Sequence, residues 1–207
     1  AGHLEDGESL LDAVIRETLE ETAYHFVPTH LVGVYNWKHP DKDDKTYLRF
    51  AFAGGSTQDP PGKEGLANLM TTLFDEGAGP LDSEAFQIKL DDAGAEMGFD
   101  VDRDRFEGGM RLLADQREGA FGLLALAINE PRFDQKPLDR MRSRIVSGIV
   151  SRSRDPEYAA GLKWREAIYA GHPYSRLPQG TPETLKTITP DDLRAFHKAI
   201  FARENLH

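Results

Sequence analysis

Glu17, Glu20 and Glu21 are the residues of this chain whose types and spacing could do chemistry. At i, i+3 and i+4 their carboxylates share one face of a helix. The surrounding segment reads as a helix, because Leu10, Leu11, Val14, Ile15 and Leu19 recur as an apolar stripe at helical spacing. Glu8 and Ser9 fall near its start, where negative charge suits the helix dipole. Three crowded carboxylates repel one another unless a cation sits among them. Hard oxygen donors of this kind suit Mg²⁺ or Mn²⁺, which keep waters and engage phosphates. Arg16 can orient a neighbouring carboxylate through a charge-assisted hydrogen bond. For Glu20 and Glu21 alone the blander reading is a solvated acidic helix face, the usual role of a charge run.

The wider spacing favours the metal helix. Gly2 is followed, after five residues, by Glu8. Seven more lead to Arg16-Glu17, and two more to Glu20-Glu21. This resembles the Nudix box, G-x5-E-x7-R-E-U-x-E-E-x-G-U, with Thr18 where an aliphatic is usual and Ala23 where the pattern has Gly. The resemblance implies catalysis by Arg16, Glu17, Glu20 and Glu21, with Mg²⁺ or Mn²⁺ held by the three glutamates and the Gly2 carbonyl. Glu8 supports the loop. The implied substrate is a small phosphorylated molecule, a nucleoside or thiamine-precursor diphosphate.

Composition sets the frame. The chain has 207 residues, 39% of them hydrophobic and 29% charged, enough for one large domain or two small ones with a packed core. A net charge of −10 argues against a nucleic-acid or anionic-membrane partner, because no basic patch is evident to neutralise phosphates. Cysteine is absent, which removes disulfides and thiolate metal sites. No apolar run reaches transmembrane length. Ala1 reads as an internal cut, with neither Met nor a signal core. Localisation stays open: cytoplasmic for the box, periplasmic for the remainder if a signal preceded it.

After the box helix, residues 30–37 and 46–53 read as the strands of a β-hairpin around the polar loop KHPDKDDK. The run L-R-F-A-F-A continues the likeness to the phosphatase branch of Nudix enzymes as far as Ala53. Gly54-Gly55 and STQDPPGKEG then form a turn-rich break. Beyond it, helices are expected over 65–73, 83–93 (with Asp82 or Ser83 as cap), 114–128, 136–150 and 155–169. A last one is capped by Thr189 with Pro190 in its first turn. Residues 98–111 alternate like strands. Met70, Phe74, Phe86, Leu123 and Leu124 are expected in the core.

GGSTQDPPGKEGLANLMTTLFDEGAG, NEPRF, Asp155-Pro156, AGHPYSRLPQG, TPETLKTITPDDLRAF and FARENL resemble, in order and spacing, the N-terminal half of pitrilysin/insulinase-type peptidases, the inverzincins. That family carries H-x-x-E-H on a helix. Here Asn68 and Thr72 stand at the histidine positions and Thr71 at the general-base position. The distant glutamate ligand falls at Ser147-Gly148 and is also missing. No zinc is expected at these degenerate positions, and the segment resembles the zinc-less partner type of that family. The other histidines form no alternative site: His172 lies in a turn, His197 is a half-exposed helical residue, and His25, His30 and His39 lack a carboxylate at ligand spacing.

These readings imply an α+β fold, helices packed on a mostly antiparallel sheet, with residues 1–53 a partial Nudix segment and 54–207 a truncated, zinc-less peptidase-like domain. The hairpin could itself fill the strand positions that open the peptidase-like fold. Three roles follow: a Mg²⁺-dependent diphosphate hydrolase fused to an inactive peptidase domain, a non-catalytic partner of an active zinc peptidase subunit, or a fragmentary fusion without activity.

Overall fold

The computed structural model describes residues 35–37 and 45–201, with side chains from residue 48 onward. The box helix, the loop at 38–44 and the remainder of the FARENL segment after Phe201 lie outside the described residues. All described residues belong to one compact unit that begins at Gly33.

A sheet comes first in chain order. Strands β1 (Tyr35–Trp37) and β2 (Lys45–Ala53) pair antiparallel, Tyr35 opposite Arg49 and Trp37 opposite Tyr47. The expected hairpin therefore forms across the residues described. β2 has a second partner far along the chain. It runs antiparallel to β4 (Arg105–Leu113) from Lys45 opposite Leu113 to Ala53 opposite Arg105, and β3 (Glu96–Val101) closes the order β1-β2-β4-β3. The hairpin thus occupies the opening strands of the peptidase-like sheet. The Gly54-Gly55 turn leaves β2 still tied to the β3–β4 turn: Gly54 N donates to Asp104 O at 2.7 Å and Ser56 N to Asp102 O at 2.9 Å.

The period of two decides which face is core. Along β4, Phe106, Gly108, Met110 and Leu112 are buried while Arg105 and Glu107 are exposed. Phe50 on β2 lies opposite Gly108, and its ring lies where a side chain at 108 would go: a Cβ there would stand 2.1 Å from Phe50 Cζ. Phe50 then meets Phe52 and Phe99 edge-on, at 6.0 and 5.7 Å between centroids. Phe74 stacks on Phe99 at 4.3 Å.

Among the described residues seven helices accompany the sheet, and all but the exposed Pro156–Ile168 helix contribute buried residues to the core. They are α1 (Leu66–Thr71), α2 (Ser83–Asp92), α3 (Arg117–Asn129), α4 (Gln135–Arg152), α5 (Pro156–Ile168), α6 (Pro182–Thr187) and α7 (Pro190–Ile200). Local chemistry sets their starts. Asp82 accepts from Ala85 N at 2.9 Å, Asp155 accepts from Glu157 N, and Thr189 forms a capping box with Asp192. Two elements differ from expectation. Leu113 is still extended at the end of β4, so the chain tightens through a 3₁₀ turn at Ala114–Gln116 before α3 begins. α6 is a separate helix, started by a Thr181–Thr184 capping box and Pro182. Met70, Phe74, Phe86 and Leu124 are buried, and Leu123 is half-buried against them. The whole is α+β with an antiparallel sheet, and no described helix is long and apolar enough to cross a membrane.

Gly108→Ala should destabilise the protein by about 1–3 kcal/mol, the cost of forcing a methyl into a filled core. Gly98→Ala on β3, where nothing lies within 4 Å of the added Cβ, should be near neutral. Urea unfolding of both variants checks this.

Candidate functional site

The box residues Gly2, Glu8, Arg16, Glu17, Glu20 and Glu21 lie outside the described residues, as do His25, His30 and His39. What the structure places is the other candidate centre, the helix carrying the degenerate zinc positions.

α1 is a six-residue helix buried on nearly every side, with Leu66, Ala67, Leu69, Met70 and Thr71 all out of solvent. Thr71 and Thr72 turn their hydroxyls back onto this helix. Thr71 Oγ1 donates to Asn68 O at 2.8 Å and Thr72 Oγ1 to Leu69 O at 2.7 Å. Both hydroxyls are thereby committed to the helix's own backbone; Leu69 O also accepts from Thr72 N at 3.2 Å. An uncharged amide and two hydroxyls committed to the backbone do not fit Zn²⁺, which is held by imidazole, thiolate or carboxylate. Ser147 and Gly148, on α4, add no such group. Among the described residues no cluster of three or more His, Asp or Glu is arranged to hold a metal ion.

Titratable groups do cluster around α1, in structural roles. Asp59 is 2% exposed and accepts from Gly65 N at 2.8 Å and Ala67 N at 2.9 Å, closing the N-terminus of α1. Burial pushes its carboxyl up to about 7, against the pull of those two N–H groups. Arg176 Nη1 donates to the Asp59 carbonyl at 3.1 Å, and Thr184 Oγ1 to Glu64 O at 2.7 Å. Gly180 lies so close that a Cβ on it would stand 2.0 Å from Glu64 O; its φ of 72° also requires glycine. The LPQG turn is thus docked against the entry to α1.

At the other end of α1, Glu76 is buried and accepts from Ser83 Oγ at 2.5 Å and from Arg140 on α4. Burial, and then the Glu76 charge, raise the neighbouring Asp75 carboxyl. His172 is an N-cap, its Nδ1 accepting from Tyr174 N at 3.2 Å. His197 is half-buried, stacked on Phe201 at 4.9 Å, with Nε2 2.7 Å from Ile128 O. Burial lowers its basicity. Neither histidine faces a carboxylate in ligand geometry. Sequence reasoning did not find Asp59 or Glu76. Asp59 caps from six and eight residues upstream, and Glu76 bonds across a loop and to a distant helix, outside any local capping pattern.

Comparison with known proteins divides along the chain. The NUDIX domain model matches residues 1–73. Over 53 residues the chain is 45% identical to Phosphatase NudJ of Escherichia coli, a match covering 26% of this chain and 33% of that protein. Over 160 residues, 77% of this chain, it is 22% identical to the non-peptidase homolog YmxG of Helicobacter pylori, covering 37% of it. In fold it is similar to a peptidase M16 inactive domain from Pseudomonas fluorescens, with TM-score 0.74 and 27% identity over 84% of this chain and 45% of that one. Pitrilysin shares the fold at TM-score 0.63 and 20% identity, over 85% of this chain and 22% of that one. The chain therefore spans about a third of its curated relatives' length. It is fusion-like: a Nudix-like segment continuous with the fold of an inactive M16 peptidase domain. The Nudix match extends through β2 and α1, which the structure builds into the peptidase-like core.

Asp59 sets a pH dependence of known sign. Its carboxyl is raised from 3.8 to about 7, so the folded state holds the proton more tightly than the unfolded chain. The stability it contributes is present below about 3.8 and lost as pH rises through about 7. His197, with lowered basicity, acts in the opposite sense, losing stability as pH falls below its usual range. Asp59→Asn should therefore cost more stability at pH 5 than at pH 8, by roughly 1–3 kcal/mol. Denaturant unfolding of both proteins at the two pH values measures the difference, and an equal cost at both contradicts it.

Proposed function

We propose that this chain's catalytic capacity lies in its box and that residues 54–207 form a silent, peptidase-like binding module. The boundary at Ala53–Gly54 follows the two likenesses, although β2 is a member of the module's sheet. The observation that carries the second half is at α1, where the positions of a zinc-binding helix hold Asn68, Thr71 and Thr72, with both hydroxyls engaged by that helix's backbone. Neither a metal ligand nor a base to take a proton from water remains there. The reading is supported by the likeness to proteins described as an inactive M16 domain and a non-peptidase homolog. A silent module of this kind would pair with an active zinc peptidase subunit.

For the box, the reading is hydrolysis of a small diphosphate, a nucleotide or a thiamine-precursor diphosphate. The all-carboxylate donor set of Glu17, Glu20 and Glu21, with the Gly2 carbonyl, fits Mg²⁺ or Mn²⁺. The cation, when bound, would offset negative charge on the phosphates. Arg16 would hold a neighbouring glutamate in place, and Glu8 would support the loop between Gly2 and the helix. The similarity to a phosphatase over 53 residues supports this choice of substrate class.

Turnover of a nucleoside diphosphate panel, with and without Mg²⁺, tests the first half. Glu20→Gln should lower metal-dependent turnover at least about 100-fold, above the range for groups that only support a ligand. Absence of turnover from folded protein contradicts it. For the second half, the purified chain should leave peptides intact with Zn²⁺ added and should co-purify with a zinc peptidase subunit. Zinc-dependent cleavage by the pure chain overturns that reading.

A further inference from the structure

The outward face of α4 is basic, although the chain as a whole is acidic. Lys136, Arg140 and Arg144 recur at i, i+4 and i+8, and all three are exposed. Ser147 and Ser151 continue the same face, also exposed, and neither hydroxyl makes a bond among the described residues. The opposite face is the buried one, through Leu138 and Ile149. Lys136 and Arg144 have no ion-pair partner among the described residues. Arg140 gives one nitrogen to Glu76 but keeps over half its side chain exposed, leaving further guanidinium donors available. The helix's one acidic residue, Asp139, is occupied by Gln135 and Arg142. Arg142 itself points inward, donating to Leu185 O at 3.0 Å and Ile188 O at 2.7 Å.

We propose that this face binds an extended acidic polypeptide segment with carboxylates at alternate positions. Cations four residues apart on a helix are separated by about 6 Å along its axis. Alternate residues of an extended chain are separated by about 6.6 Å, so a Glu-x-Glu-x-Glu segment lies in register with Lys136, Arg140 and Arg144. The row from Lys136 to Ser151 spans about 22 Å, too long for a single small anion and matched by roughly seven extended residues. The free serine hydroxyls supply donors for the peptide's carbonyls. A short acidic segment senses chiefly this local face, because charges farther than about 8 Å are screened at physiological salt. A nucleic acid extends beyond it and meets the repulsion of a chain with net charge −10. The inference rests on reading residues 54–207 as a module that binds without cleaving.

The test is fluorescence anisotropy of a labelled decapeptide of alternating glutamate and serine, titrated with the full chain. Two controls run beside it: a block decapeptide of the same composition, all glutamates first and all serines after, and a single-stranded decanucleotide. Binding of the alternating peptide should weaken with salt and exceed that of the block peptide. Lys136→Glu with Arg144→Glu should weaken it roughly four- to twenty-fivefold, since each exposed pair contributes about two- to fivefold. The Lys136→Gln with Arg144→Gln variant should fall between, with both variants melting like the parent. The proposal is overturned if the alternating peptide does not bind, if the double glutamate variant binds it unchanged, or if the decanucleotide binds this face more tightly. Recovery of intact peptide supports both readings. Peptide that binds through this face and is then cleaved would leave the docking site standing while removing the non-catalytic reading beneath it.

Discussion

Nine consecutive residue pairs join β2 to β4, from Lys45–Leu113 to Ala53–Arg105, and the positions of the other elements follow from them. The ladder brings Phe50 over Gly108, and the space where 108 has no side chain admits the ring. Phe50 and Phe52 then form the floor on which Phe99, Phe74 and Phe201 pack, each within about 6 Å of a ring neighbour. α1 lies against this sheet, and the Gly54-Gly55 turn that leads toward it is hydrogen bonded to the β3–β4 turn. Without β2 the buried face of β4 would lose one neighbour and α1 its approach.

This constraint changes how the two halves of the chain relate. By likeness β2 continues a Nudix segment; by hydrogen bonding it is an interior strand of a peptidase-like sheet. Both can hold, since an alternating apolar strand with Phe50 and Phe52 on its path suits either sheet. The polar side chains of α1 follow a related logic. A helix bearing ligands keeps polar side chains turned toward a metal. Here the Thr71 and Thr72 hydroxyls donate to the helix's own carbonyls, while Asp59 and Glu76 fasten its two ends to the surrounding loops.

Much of this was legible in residue order because its causes are local. Asp82, Asp155 and Thr189-Pro190 announce helix starts through bonds spanning two or three residues. The box is legible because Gly2, Glu8, Arg16, Glu17, Glu20 and Glu21 keep the spacing of the Nudix pattern in residue order alone. The reading of Asn68, Thr71 and Thr72 as degenerate zinc positions comes from a segment whose flanks still resemble the inverzincin pattern. Non-local features stayed hidden. Nothing in Lys45–Ala53 names Arg105–Leu113 as its partner across some fifty intervening residues. Arg142 reads as one more surface cation, yet it clamps the carbonyls at the end of α6. Asp59 precedes two prolines and looks like a turn residue, while its carboxylate is needed six and eight positions later.

Hydrogen exchange of the intact chain tests most directly whether β2 belongs to the peptidase-like core. The account predicts that the amides of Thr46 to Ala53 that pair with β4 exchange as slowly as those of β4 itself and open with it in one cooperative unit. Rapid exchange along β2 beside a protected β3–β4 pair would contradict it, and would assign the strand to the Nudix-like segment alone.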